Sequence, residues 1–286
     1  MTPSPALAVQ RAKGSTGFEA GAAGRIARMH PMTDDELAAG VEHFRETGWL
    51  LTQTLDEAGV AELQEWVDEV ASWPDDGEGW MHHRELTDDG PKLCRSENII
   101  PFHPGLRDLL TTGALLGTAS ALLGQQAVLY KEKVNYKLAG GAGYAPHQDA
   151  PAYPFIASHV SCMVAVDDAT LENGCLEVVE GMYHDVLAMD DAGCIDPDLV
   201  ASYEWKAVEV PAGWTLWFHS RTPHRSGPND SPVPRRALYP TYNALAEGDL
   251  RADYYAEKLA RFTAEGGRAD GKVQVSLIND FQGRAV

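Results

Sequence analysis

The sequence predicts an α+β fold: a double-sheet β roll with helices packed along one side. Helix-period apolar patterns fill the first part of the chain. From about residue 127 they give way to short β-rich runs punctuated by Gly, Pro, Asn and Asp, and one further helical stretch closes the pattern. Helices and strands segregated in this way read as α+β, whereas alternating βα units would give a parallel sheet. The composition, 44% hydrophobic and 23% charged over 286 residues, is that of a globular chain. A chain of this length buries about 75% of its unfolded surface, so a substantial core is expected.

The first 31 residues, rich in Ala, Gly, Ser and Pro, are expected to form a flexible tail, and residues 32–286 a single domain. Thr33-Asp34-Asp35-Glu36 reads as a capping box, with Thr33 as N-cap and Glu36 at N3. Leu37, Val41 and Phe44 continue at helical spacing until Gly48. A short strand follows over Trp49–Leu55, and Asp56 caps a second amphipathic helix carrying Val60, Leu63, Trp66, Val67 and Val70. Asp68 to Asp89 hold eight acids against the single base Arg84; with no EF-hand spacing, this segment is expected to be a solvated loop. Leu106 to Leu123 supply one or two more helices. The β runs are Val128–Tyr130, Val160–Val166, Cys175–Val179, Ala207–Val210, Trp214–His219 and Ala237–Tyr242, and a last helix spans Asp253–Phe262.

Charge narrows the function. The chain has 23 Lys+Arg against 42 Asp+Glu, a net −19. Nucleic-acid affinity rests on neutralising phosphates, so no nucleic-acid partner is expected, and no anionic membrane surface either. Cys94, Cys162, Cys175 and Cys194 form no C-x-x-C pair, which fits a reducing cytoplasm. No apolar run approaches the roughly 20 residues of a spanning helix, and the N-terminal segment lacks a signal-type apolar block. The expectation is a cytoplasmic protein acting on a small molecule; nothing in the sequence specifies an oligomeric state.

The residues that could carry chemistry begin with His147-Gln148-Asp149. An imidazole and a carboxylate two positions apart on one strand point to the same side and can hold one ion. His224 follows an apolar strand, where a metal ligand can be held rigidly. Two histidines and one carboxylate make the facial triad of non-haem Fe(II) oxygenases, which leaves positions open for a co-substrate and O₂. The plainer alternative is that both histidines are loop residues bonded to the backbone. Beyond them stand Arg235 and Arg236; a metal-bound 2-oxoacid with a distal carboxylate needs a cation at its far end, and guanidinium binds carboxylate bidentately. Side chains alternate along a strand, so only one of the two arginines can enter the roll. Ser226 can add a hydroxyl donor. Gly140-Gly141-Ala142-Gly143 is read as a flexible loop able to act as a lid. H-E-x-x-H, G-x-S-x-G and Walker patterns are absent from the sequence.

Taken together, His147-Gln148-Asp149, the Asn173-Gly174-Cys175-Leu176 turn with Gly181 and His184 beyond it, and His224…Ser226-Gly227…Arg235 resemble the phytanoyl-CoA dioxygenase family of Fe(II)/2-oxoglutarate oxygenases, over roughly Thr33 to Asn243. The resemblance implies a double-stranded β-helix (jelly-roll, cupin-like) core with flanking helices. It implies Fe(II) held by His147, Asp149 and His224, and 2-oxoglutarate held by Arg235 and Ser226, with Lys133, Gln148 and Met163 near it. O₂ and 2-oxoglutarate would be consumed in oxidising a substrate C–H bond. The acid Asp149 favours hydroxylation over halogenation, because related halogenases carry a small residue there.

Lys133–Tyr144 running into Pro146–Tyr153, with Arg95–His103 and Asn279–Arg284, is similar to the 2-aminoethylphosphonate dioxygenase subgroup. The chemistry points the same way: Arg221 to Arg236 hold four arginines and one acid, Asp230, a local +3 in an acidic chain. Arg95, Asn135, Arg221 and Arg284 are the candidates for binding a phosphonate. Tyr136, Tyr144, Tyr153 or Tyr242 would offer aromatic faces to an ammonium group, with Asp280 as counter-charge; the competing reading is that these tyrosines are core. The substrate expected is a small anionic or zwitterionic molecule, an aminoalkylphosphonate first, an amino acid or natural-product intermediate second. The rival from another class is a metal-binding β roll without oxygenase activity.

Overall fold

The structure, a computed structural model, describes residues 29–264 apart from residues 31, 76–78, 88, 154–155 and 191–192. Most of the expected tail, and the candidates Asp280 and Arg284, lie outside the described residues.

Helix α1 (Asp34–Thr47) begins with the capping box: the Thr33 hydroxyl accepts from the Glu36 amide, and the Glu36 carboxylate accepts from the Thr33 amide. Gly48 ends the helix at φ 82°, where a Cβ would also collide with Tyr183 and Thr222. After β1 (Trp49–Gln53), α2 (Glu57–Ala71) starts where Asp56 accepts from the Gly59 amide. Helices α3 (Pro104–Thr111), α4 (Gly113–Leu123), the short α5 (Pro197–Ser202) and α6 (Arg251–Ala264) complete the helical part.

The large sheet contains β1, β2 (Met81–Thr87), β3 (Gly90–Glu97), β4 (Ala127–Lys131), β5 (Lys133–Lys137), β7 (His159–Ala165), β10 (Trp214–His219), β12 (Arg235–Leu238) and β13 (Thr241–Ala244). Its order is β1-β10-β7-β12-β5-β3-β2, with β13 joining β7 to β4. The small sheet runs β6-β11-β8-β9, from β6 (Tyr144–His147), β11 (His224–Ser226), β8 (Leu176–Val178) and β9 (Lys206–Val208). Every pairing is antiparallel, and the two sheets form a double-stranded β-helix core, as expected.

Period-two alternation gives the large sheet two different faces. Val134 and Tyr136 of β5, Val160, Cys162 and Val164 of β7 and Trp217 of β10 join Leu63, Val67, Leu106, Leu110 and Leu115 of the helices in one apolar core. Each fully buried Leu or Val there contributes about 1.5–3 kcal/mol. The opposite face sends Met163 and Ala165 of β7, Leu216 and Phe218 of β10 and Ala237 of β12 against Leu176 and Val178 of the small sheet. The polar residues Lys133, Asn135, Lys137 and Arg235 share that inner face, because their registers match: Lys137 lies opposite Arg235 and Asn135 opposite Ala237.

One segment departs from expectation. The acidic stretch is not loop throughout: Met81 to Thr87 is strand β2, paired with β3 from Met81↔Glu97 to Thr87↔Gly90, with His82, His83 and Glu85 buried. Beside the apolar Met81 its buried residues are polar, with His82 bonded to Ser96 and His83 3.7 Å from Glu97, so no apolar alternation marks the strand. Among the described residues no helix is long and apolar enough to cross a membrane.

Candidate functional site

His147 closes β6 and His224 opens β11, and the antiparallel register sets them directly opposite each other. Asp149 lies just past the strand, in right-handed helical backbone at the head of a 3₁₀ turn over Ala150–Ala152. A turn therefore brings the carboxylate to the imidazoles, where the sequence reading had placed it on the same strand. The Nε2 atoms of His147 and His224 lie 4.0 and 3.9 Å from Asp149 Oδ1, and the two rings are 4.1 Å apart. All three residues are buried, and their ligand atoms lie within 4.8 Å of one another.

Both histidines do bond backbone carbonyls, as the plainer alternative had it, but through Nδ1: His147 to Ala145 O at 2.7 Å and His224 to Thr222 O at 3.0 Å. A donor hydrogen on each Nδ1 leaves each Nε2 lone pair directed at the cluster. Asp149 Oδ2 accepts from Ser161 Oγ at 2.5 Å. Burial works to raise the Asp149 pKa, but the nearby His224, Lys131 and His147 side chains and the Ser161 hydroxyl outweigh it and hold the group well below the usual carboxylate range. Two imidazole nitrogens and one carboxylate oxygen, with no thiolate, suit Fe(II). Ser161→Ala is expected to weaken iron binding about 10- to 100-fold, the usual cost of losing a bond that orients a ligand; an unchanged iron titration would show that Asp149 needs no such support.

At one end of the inner face, Arg235 is buried while Arg236 points to the other side and pairs with Asp167 at 2.7 Å and Asp68 at 2.5 Å. Arg235 Nη2 donates to Gly174 O at 3.2 Å, Nη1 lies 3.7 Å from Met163 Sδ, and its buried Nε has no hydrogen-bond partner. Lys137, across the ladder, donates to Ser226 Oγ at 3.0 Å, to Gly174 O at 3.2 Å and to Gly227 O. Burial first, then the charge of Arg235, pushes the Lys137 pKa down to about 7. Among the described residues no carboxylate pairs with either cation. Two adjacent buried cations held by neutral groups are costly unless an anion joins them. Sequence reasoning missed Lys137. The signal was Lys133-x-Asn135-x-Lys137, a period-two row on the strand leading to the His147 loop.

Beside the His-Asp-His cluster opens a cleft of about 500 Å³, lined among others by Lys131, Lys133, Asn135, Tyr144, Tyr239 and Thr241. Arg95 sits behind it, donating from Nε to Asn135 Oδ1 at 3.0 Å and from Nη2 to the Tyr144 hydroxyl at 3.3 Å. Lys131, which the sequence reading did not single out, donates to the Tyr153 hydroxyl from within this wall.

Other candidates are placed elsewhere. Tyr136 faces the helices, with its hydroxyl 3.2 Å from Ser96 Oγ, and Tyr242 is fully buried in the same core, donating to Leu110 O at 2.9 Å. The Gln148 side chain is bonded to the backbone of Asp185, Leu187 and Arg221, so it braces that loop. Arg221 donates to His184 O at 2.8 Å and is not among the residues lining the cleft. Arg225 pairs with Glu177 at 2.8 Å and lies over the Trp205 ring. The local excess of positive charge around residues 221–236 is thus dispersed, with Arg235 alone of its four arginines entering the inner face. The glycine loop is pinned: Gly140 N donates to Asn229 O at 2.7 Å and Asn229 N to Gly141 O at 2.9 Å, and a Cβ at Gly143 would collide with Ser226 O. Gly143 is thus closely packed, and Gly140 and Gly141 are tied to Asn229.

Comparison with known proteins agrees with this geometry. Residues 44–237 match the phytanoyl-CoA dioxygenase (PhyH) family. A methylphosphonate hydroxylase of Gimesia maris is 46% identical over 255 residues, covering 88% of this chain and 96% of that protein. A 2-aminoethylphosphonate dioxygenase from an uncultured bacterium is 39% identical over 235 residues, covering 80% and 90%. Among solved structures, EctD from S. alaskensis with 2-oxoglutarate and 5-hydroxyectoine superposes with a TM-score of 0.66 over 80% of this chain and 86% of that one, at 22% identity, which speaks to the fold. With a match across well over half of the chain and relatives aligned nearly end to end, the chain belongs to the phytanoyl-CoA dioxygenase family.

Proposed function

We propose that this protein is an Fe(II)- and 2-oxoglutarate-dependent dioxygenase that hydroxylates a small phosphonate on the carbon beside phosphorus. The balance is R–CH₂–phosphonate + 2-oxoglutarate + O₂ → R–CH(OH)–phosphonate + succinate + CO₂. The observation that carries the cofactor assignment is the His147–Asp149–His224 cluster standing beside the buried, acid-free pair Arg235 and Lys137. The phosphonate assignment is supported by relatives that act on methylphosphonate and 2-aminoethylphosphonate.

His147, Asp149 and His224 would hold the iron. Bound iron supplies O₂ activation coupled to decarboxylation of the 2-oxoacid. Arg235 and Lys137, with the Ser226 hydroxyl, would grip the far carboxylate of 2-oxoglutarate and so fix its keto-acid end toward the metal ligands. Asn135, Tyr144, Lys131 and Lys133 would hold the substrate, and the packed inner face around Met163 and Phe218 excludes water from it. The four cysteines are free, three of them buried, which suits a cytoplasmic enzyme.

The test is O₂ consumption and succinate release from iron-loaded protein with 2-oxoglutarate and a panel of phosphonates beside their carboxylate and sulfonate analogues. One succinate per hydroxylated phosphonate is expected. Turnover on the carboxylates alone would refute the substrate class, and iron binding without any succinate would leave a metal-binding β roll.

Lys137 predicts a pH signature. A carboxylate bound beside it favours the ammonium form, so binding raises its pKa above the free value of about 7. The charge is present below that value and is lost as pH rises through it. 2-Oxoglutarate affinity is therefore expected to be level at acid pH and to fall above about pH 7 by up to tenfold per unit. Lys137→Met should bind weakly with no such slope. Calorimetric titration across the range decides it: a flat profile in the unmodified protein would remove Lys137 from the site.

A further inference from the structure

Resting on the phosphonate reading above, we infer that the cleft selects a phosphonate whose organic tail carries no charge and excludes one whose tail ends in an ammonium group. Along the run from β12 to β13, Arg235 stands at one end and Thr241, opposite Lys131 on β4, at the other. The wall near Lys131 is built of donors and cations. Lys131 and Lys133 line it directly. Arg95 accounts for the Asn135 carbonyl oxygen, which leaves the amide nitrogen as the donor offered to the cleft. From α6, the buried Lys258 donates to Glu97. Lys131, Asp149, Lys258, Glu97 and Arg95 are all buried.

The acids of that region already serve cations. Glu97 holds Lys258 and has Arg95 Nη1 at 3.6 Å and His83 Nε2 at 3.7 Å, and Asp149 belongs to the metal cluster. Among the described residues lining the cleft, Asp149 is the only carboxylate. An arriving phosphonate would complete this field, its oxygens accepting from Lys131, Lys133 and Asn135. An ammonium tail would add a further positive charge to it. Leu176, Phe218 and the Tyr239 ring also line the cleft and offer a surface for an alkyl group.

The decisive pair is n-propylphosphonate and 2-aminoethylphosphonate, which match in size and differ by a methyl in place of an ammonium. Each is titrated calorimetrically, without O₂, into the full-length protein loaded with iron and 2-oxoglutarate. Propylphosphonate is expected to bind at least tenfold more tightly. A ratio near one, whether both bind or neither does, or a preference for the amine, overturns the inference. Lys131→Met is expected to shrink that ratio while leaving the 2-oxoglutarate Kd unchanged; a ratio that survives the substitution also overturns it. Succinate release with methylphosphonate and with both probes is run in parallel. If no phosphonate elicits succinate, the phosphonate reading has failed; if succinate forms with 2-aminoethylphosphonate as readily as with propylphosphonate, the reading stands and the charge selection falls.

Discussion

His147→Ala is expected to lose stoichiometric iron and to slow phosphonate turnover by roughly a thousandfold. A metal that polarises its bound reactants contributes several kcal/mol to the barrier, and each 1.36 kcal/mol is a factor of ten. His147 is the last residue of β6. Its ring lies at the end of a four-residue strand, and its Nδ1 bond to Ala145 is local. The metal-free variant should therefore unfold within a few degrees of the metal-free parent, and anaerobic iron titration should show the missing site. A variant that still bound one iron tightly and turned over would place the ion elsewhere. Asp149→Ala should behave alike but lose more stability, since Ser161 and Lys131 are arranged around that carboxylate.

The next largest effect is expected at Arg235. Replacement by Met removes a buried guanidinium placed to bind a carboxylate through two charged hydrogen bonds, each worth about 1.5–3 kcal/mol. The 2-oxoglutarate Kd should rise at least about a hundredfold, with iron binding unchanged. Arg235→Lys should recover little, because a single ammonium lacks the planar fork and would crowd Lys137. An Arg235→Met protein with its 2-oxoglutarate Kd intact would mean that Lys137 and Ser226 hold the carboxylate by themselves. The contrast with Arg236 is a built-in control: Arg236→Met should leave 2-oxoglutarate binding alone and cost only the surface pairing with Asp167 and Asp68.

Much of this architecture could be read before any coordinates. The caps at Thr33 and Asp56 and the apolar strands around Val160–Val166 and Trp214–His219 follow local rules, and the structure contains them. Strands whose inner face is polar stayed hidden. β2 and β3 bury His82, His83, Arg95 and Glu97, and β5 buries Asn135 and Lys137, residues that look solvent-facing when only hydrophobicity is counted. The same blindness affected the site. Lys131 and Lys137 become meaningful only once the sheet places them beside Asp149 and Arg235. Arg221, Arg225 and Arg236 formed a persuasive cluster in one dimension, yet a strand, a loop and a bend send them apart. Charge counted along a chain says little about charge converging in space.

The glycines that flank Arg235 and Lys137 have a consequence for how the protein can change. A methyl group at Gly143 would strike the Ser226 carbonyl, and one at Gly174, where φ is 71°, would strike Gly227 O, Pro228 O and the Lys137 ammonium. A side chain added at either glycine would strike main chain, so neither position can be substituted without moving strands. The opposite wall is made of side-chain tips, Lys131, Lys133, Asn135, Tyr239 and Thr241, each replaceable on an unmoved backbone. The glycine corner beside Arg235 and Lys137 is thus rigid, and the wall beside the His-Asp-His cluster is adjustable. Laboratory selection for new substrates should accumulate its changes along β4, β5 and β13 and spare the glycine corner.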